Sequence, residues 1–320
     1  MKCTRRSFFQ AGVATSVLLL GEGTVNAQAG PKDVSIRVGA TDGVLGGKGE
    51  SKALVIAKAV GIEGVEAAAG EAEDKLYITR PEVIKEYRRT SKETGVVVSS
   101  ICMGVLNKSP LISEPRVPKW ISETIDAAQA LQAKNILIAC FGRGTLKTRA
   151  NKEKAASILK DLAPQAAAKG VTLGLENTLS AADNLFILEK AGHPQGLKIY
   201  YDVGNSTGRG YDVPAEIREL KDAICQIHFK DPKSSLLGKG EVKMAPIVSA
   251  IADIGYHGWI TLETSSNRGC QRRFYPGTFR SLYGCVTTRA IPISKQKEQF
   301  LCQRRSTDAA SWPVQQWQRQ

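Results

Sequence analysis

Between Val34 and Ser265 the chain alternates short apolar runs with helical stretches, without a break, and this rhythm constrains the fold more than any single motif. The apolar runs are VSIRVGA (34–40), GVEAAA (64–69), VVVSSICM (96–103), NILIACFG (135–142), VTLGLEN (171–177), LKIYYDVGN (197–205), ICQIHFKD (224–231) and GWITLETS (258–265). Helical stretches fall at 51–60, from Pro81 onward, and at 117–131, 152–169, 182–191, 214–221 and 244–254. Pro81 suits a first helical turn. Gly61, Gly95, Gly170, Gly192 and Gly255 stand where helix ends favour a left-handed residue. Eight strands and seven helices in strict alternation predict a parallel sheet with right-handed crossovers. With 320 residues there is room for one (β/α)8 barrel of about 250 residues plus extensions. The many Ala, Gly, Val and Ile residues suit strands buried on both faces.

Four of the runs carry an ionisable residue near their C-terminal end: Glu176, Asp202, His228 and Glu263, spaced 26, 26 and 35 residues apart. That spacing is about one strand-plus-helix unit. A (β/α)8 barrel builds its active site at the C-terminal ends of its strands. Three carboxylates and one imidazole converging there suit a single divalent metal ion, with Mn2+ favoured and Mg2+, Co2+ or Zn2+ open. Strand parity agrees. Thr172, Gly174 and Glu176 share one face, as do Gln226 and His228, and Trp259, Thr261 and Glu263. These sets should face the barrel axis, while Val171, Leu173, Leu175, Cys225, Ile227, Phe229, Ile260 and Leu262 face the helices.

The net charge of +13 would suggest a polyanionic partner if it lay on the barrel. It does not. Lys2, Arg5, Arg6 and Glu22 belong to the N-terminus, and ten Lys/Arg against Glu298 and Asp308 follow Ser265, leaving about +3 for the middle. Nucleic acid is therefore not an expected partner. The N-terminal TRRSFF (4–9), the apolar run 11–20 and the small-residue sites around Ala27 and Ala29 look like a twin-arginine signal peptide over residues 1–29. The expected route is the twin-arginine export machinery and the expected location the periplasm, with an uncleaved membrane anchor as the other reading. A catalytic domain at 30–265 follows. The basic segment 266–320 lacks an amphipathic eighth helix and reads as poorly ordered. It is either an interaction arm or the product of a frame or gene-model error.

Of seven cysteines, Cys102, Cys140 and Cys225 lie in apolar strands and read as buried thiols. Cys3 lies in the leader and Cys270, Cys285 and Cys302 in the tail, and no CxxC pair suggests structural zinc. The Gly-rich stretch 43–49 does not satisfy the phosphate-loop pattern and reads as a loop at the barrel mouth. His193 reads as a loop residue. His257 precedes the last strand, at the opposite end of the barrel from the site.

The segments LEN (175–177), YDVGN (201–205), IHFKD (227–231), GKGEV (238–242) and LET (262–264), in that order, resemble the xylose isomerase-like TIM barrels, the family of sugar phosphate isomerases/epimerases and AP endonuclease family 2-type proteins. The resemblance covers roughly Val34 to Ser265. It implies that Glu176, Asp202, His228 and Glu263 bind one divalent metal and that Glu176 and Glu263 form the acid/base pair, as in tagatose epimerase-like members. It implies a small sugar or sugar-derived substrate, deprotonated beside its carbonyl to an enediolate, and leaves oligomeric state open. Asn205 departs from the histidine that several epimerases carry three residues after the metal aspartate, and so marks a substrate-contact position. Lys230 would supply charge to a developing oxyanion or be an ordinary rim lysine. Glu66 would bind a substrate hydroxyl or join a rim salt bridge.

Three other functions compete with this reading. A dehydratase or lyase of a keto-sugar shares the enediolate, and only the products differ. A non-catalytic carbohydrate-binding barrel would hold metal without proton exchange. An endonuclease-like phosphodiesterase needs several histidines, whereas this chain has three, of which only His228 is well placed.

Overall fold

A computed structural model describes residues 35–264. The leader at 1–29, the tail at 266–320, and Cys3, Cys270, Cys285 and Cys302 lie outside the described residues. Eight parallel strands close into a barrel in sequence order: β1 (Ser35–Thr41), β2 (Gly64–Ala68), β3 (Val97–Met103), β4 (Asn135–Ala139), β5 (Thr172–Glu176), β6 (Leu197–Asp202), β7 (Ile224–Phe229) and β8 (His257–Leu262). Closure is made by β1 on β8, with Ser35 to Ala40 paired to His257 to Leu262. Between the strands run α1 (Lys52–Val60), α2 (Pro81–Thr94), α3 (Val117–Leu131), α4 (Arg149–Ala168), α5 (Ala181–Lys190), α6 (Val203–Gly208), α7 (Val213–Leu220) and α8 (Met244–Asp253). No helix follows β8 among the described residues.

Two features differ from the sequence reading. The run 197–205 is not all strand: β6 stops at Asp202, and α6 begins at once. The Asp202 carboxylate causes the break, because its Oδ1 accepts the Asn205 amide at 2.8 Å and so caps the new helix. The second difference is Cys225. The β6–β7 register slips between Ile199 and Tyr200, so that Ile199 pairs with Ile224 but Tyr200 with Gln226. Cys225 is the extra residue of this bulge. Its thiol turns inward, where a Cβ on Gly174 would meet it at 2.8 Å, rather than toward the helices. Cys102 and Cys225 are accordingly only partly buried, and Cys140 alone of the three is fully so.

The outward strand residues and the inner helix faces form one continuous apolar core, including Leu173, Leu175, Ile227, Phe229, Ile260 and Leu262 from the strands and Leu54, Trp120, Leu159 and Ile217 from the helices. The barrel interior is mostly polar. Gln226 donates to Thr261 Oγ1 (2.8 Å) and Ser100 Oγ (3.1 Å) and accepts from Asn135 Nδ2 (2.7 Å). These buried groups satisfy one another across β3, β4, β7 and β8, as a dry interior requires. Toward the N-terminal end, Trp259 fills the barrel beside Gly64, where a Cβ would lie 2.6 Å from its ring, and Arg37 stacks on it at 3.9 Å. The site thus stands on a solid floor.

Candidate metal centre

Glu176 closes β5, Asp202 closes β6, His228 is the penultimate residue of β7, and Glu263 follows β8. Barrel closure brings one ligand atom of each within 4.8 Å of the others. His228 Nδ1 is the hub, 3.1 Å from Glu176 Oε1, 3.3 Å from Glu263 Oε2 and 3.8 Å from Asp202 Oδ2. Glu176, Asp202 and His228 are buried and Glu263 is half-buried. Asp202 Oδ2 is a buried carboxylate oxygen with no aligned hydrogen-bond donor. A nitrogen and three carboxylate oxygens, one of them unsatisfied, fit a hard or borderline divalent cation.

The opposite ring nitrogen explains Glu66. His228 Nε2 lies 3.1 Å from Glu66 Oε1, while Glu66 Oε2 accepts from Ser100 Oγ at 2.7 Å and from Tyr200 OH at 2.5 Å. An Nε2 proton therefore points to Glu66; in the ion-free cluster Nδ1 carries a second proton toward Glu176 and Glu263, and with the ring neutral the Nδ1 lone pair would be free for an ion. Glu66 is only 1 % exposed, so it forms no rim salt bridge. Tyr200 also packs its ring edge-on to the imidazole, with centroids 4.6 Å apart. Neither Tyr200 nor Ser100 was expected from sequence. Tyr200 shares the parity of Asp202 in KIYYD, and that was the available signal.

Lys230 is not a solvated rim lysine. Its Nζ lies 2.6 Å from Glu263 Oε2 and 2.8 Å from Asp202 Oδ2, the latter outside hydrogen-bond alignment. Gly204 makes room for it: a Cβ there would come within 2.5 Å of Lys230 Cγ and 2.7 Å of the Lys230 carbonyl. Asn205 presents a buried side-chain amide nitrogen without a protein partner, and it lines the same cavity as Lys230 and Glu263. Asp231 serves the loop above. Its carboxylate accepts the amides of Lys233, Glu241 and Val242, and Gly240 leaves the space that carboxylate fills. The GKGEV segment is thereby pinned to Asp231, just after β7.

Burial and mutual charge set the protonation of the cluster. Burial raises the Glu176 carboxyl to about 8, against the pull of the His228 ring. Burial also raises Asp202, opposed by Lys230 and His228. For Glu263 burial works upward too, but His228 and Lys230 outweigh it and hold the group below the usual carboxylate range. Burial alone would lower His228, yet Glu66, Glu263 and Glu176 keep it well above the ordinary histidine range.

Two cavities open beside the cluster and share Thr41, Gly43 and Glu263. One, of about 780 Å3, lies over β5–β7 and includes Thr178, Asn205, Arg209 and Lys230. The other, of about 840 Å3, lies over β1–β3 and includes Asp42, Glu66, Tyr77 and Cys102. The Gly-rich loop forms their common lip. It is held by Asp42 Oδ2, which accepts the amides of Gly49 and Ala68, both at 2.8 Å, a role sequence reading missed. His193 sits exposed in a loop at φ 49°. His257 Nδ1 accepts the Ser35 amide at the far end of the barrel.

The model of the xylose isomerase-like TIM barrel family matches residues 54–278. The chain is 27% identical over 215 residues to the 2-epi-5-epi-valiolone 7-phosphate 2-epimerase of Actinoplanes sp., covering 65% of this chain and 79% of that protein. It is 27% identical over 236 residues to the L-ribulose-5-phosphate 3-epimerase UlaE of Salmonella heidelberg, covering 66% and 81%. Among solved structures, an L-ribulose 3-epimerase superposes with a TM-score of 0.64 at 20% identity, covering 85% of this chain and all of that one, which is a likeness of fold.

Proposed function

The chain belongs to the xylose isomerase-like TIM barrel family, and on that premise we propose that it is a divalent-metal-dependent epimerase or isomerase of a sugar or sugar derivative. The observation that carries this reading is the convergence of Glu176, Asp202, His228 and Glu263 within 4.8 Å at the ends of four successive strands. The similarity to a 2-epi-5-epi-valiolone 7-phosphate 2-epimerase and to an L-ribulose-5-phosphate 3-epimerase supports the same reaction class.

These four residues would hold the ion. When bound, it polarises a substrate carbonyl and its neighbouring hydroxyl and stabilises an enediolate. The protein's own part is proton transfer and orientation. Glu176 and Glu263 come from β5 and from just beyond β8, so they approach a bound sugar from different sides. One carboxylate takes the proton beside the carbonyl, and the other returns one on the opposite face, inverting the centre. Lys230, next to Glu263, offers charge to the substrate oxygen. Asn205 offers its unpaired amide to a hydroxyl in the same cavity. The polar interior beneath His228 holds these groups in place. The arginine-pair leader at 1–29 supports a periplasmic setting for this chemistry.

Metal analysis joined to NMR of a keto-sugar panel in D2O tests the reading. About one ion per chain, with deuterium entering beside the carbonyl and the centre inverted, is the expected result. Loss of water or of a fragment would make the protein a lyase, and retained metal without exchange would make it a binding barrel. A chain that takes up no divalent metal refutes the reading.

A further inference from the structure

Lys230 Nζ rests on Glu263 Oε2 and Asp202 Oδ2, at 2.6 and 2.8 Å. The same two oxygens face His228 Nδ1 at 3.3 and 3.8 Å. They belong to the two carboxylates that, with Glu176 and His228, could hold an ion. An ammonium and a divalent cation on the same pair of oxygens would stand a few ångströms apart in a poorly hydrated site, where repulsion between like charges is strong. One of the two contacts lacks hydrogen-bond alignment, because Nζ is out of line with Asp202 Oδ2 and holds it by charge alone. The Lys230 backbone is closely packed against Gly204, so the base of the side chain cannot shift. The flexible end can. It borders the cavity of about 780 Å3 that also contains Thr178, Asn205 and Arg209.

We propose that Lys230 is an exchangeable counter-cation of the site: it holds Asp202 and Glu263 together, yields both oxygens to an entering divalent ion, and swings into the β5–β7 cavity to meet substrate oxygens. The inference rests on the metal reading given above. It makes Lys230 a residue that lowers metal affinity while serving substrate, and it orders binding as metal first and sugar second.

Mn2+ binding to the full chain, read from the EPR signal of the free ion, tests it without reference to turnover. Lys230→Met and Lys230→Gln are compared with wild type and with Lys233→Met, whose exposed lysine pairs with Glu241 on the loop above. Removing a competing unit charge at contact distance should tighten Mn2+ binding about tenfold or more in both Lys230 variants, with Lys233→Met unchanged. Equal or weaker binding by the Lys230 variants overturns the proposal, since it would make the lysine a bystander or a buttress of the loaded site. The second arm is a crystal structure of the Mn2+-loaded wild-type chain. Lys230 Nζ should have left both oxygens, and finding it still bridging them overturns the proposal whatever the variants do. Should wild type bind no Mn2+, the metal reading itself falls, an outcome distinct from the other two.

Discussion

The half of the barrel mouth built by β5–β8 and the half built by β1–β4 follow the same alternation but end differently. Each strand of the first half delivers an ionisable group to one point: Glu176, Asp202, His228 and Glu263. The second half delivers Thr41, Glu66, Cys102 and Ala139, and of these only Glu66 touches the cluster. Its two oxygens are engaged by His228, Ser100 and Tyr200. On the proposed function, one half would carry the chemistry and the other would aim it. Substitutions in the first should remove metal or proton transfer outright, and substitutions in the second should weaken both by degrees.

The largest expected effect is at the hub. His228→Ala should lose bound metal and all turnover, and normal metal content by elemental analysis would contradict the assignment. Next come Glu176→Gln and Glu263→Gln. Gln keeps the shape and one ligand oxygen but cannot act as a base, so each variant should retain measurable metal yet lose at least about a hundredfold in turnover. One of them is expected still to exchange the substrate α-proton with D2O without inverting the centre. Wild-type rates in both would end the two-glutamate mechanism.

A substitution in the other half sharpens the comparison. Glu66→Gln takes the charge from the partner of His228 Nε2, and such outer partners are worth about ten- to a hundredfold in metal affinity. Tyr200→Phe removes one donor to Glu66 and should cost less. If Glu66→Gln binds Mn2+ as wild type does, the halves are independent and the division of labour fails.

The smallest effect is on stability against pH. Glu176 keeps its proton up to about 8, above the ordinary value of 4.5. His228 holds its proton well above 6.5. In both cases the native state binds the additional proton, so their contribution to stability in chelator is greatest near pH 5 and falls as pH rises from about 5 to 8. Asp202 acts in the same direction. Glu263, held low, matters only below about 4.5 and leaves this window untouched. A divalent ion competes with those protons, so the gain in Tm on adding Mn2+ should grow over the same range. Melting curves at about pH 5.5 and 8, with chelator and with Mn2+, check both trends, and a Tm in chelator that rises with pH would contradict them.

Much of the barrel was legible because its signals are local. Apolar runs of strand length, glycines after helices and Pro81 each report on a few neighbouring residues. Strand parity placed Gln226 and Trp259 inside for the same reason. Where local geometry departed from the ideal, the reading failed. Cys225 was assigned to the wrong face because a bulge between β6 and β7 is a property of the pairing of two strands. The helix α6 was absorbed into β6 because the capping role of Asp202 was hidden by its role at the site.

By itself, then, the sequence determined the eightfold alternation, the inward parity and the four residues at the strand ends. These follow from periodicity and position along one strand at a time. Only the tertiary structure decided that Glu66 and Tyr200, 134 residues apart, share a hydrogen bond, and that Glu66 reaches His228 across 162 residues. Only it set Lys230 on Asp202 and Glu263. Such contacts exist because the barrel closes β1 onto β8 and brings the ends of all eight strands to one mouth, and that closure is a geometric property of the whole sheet.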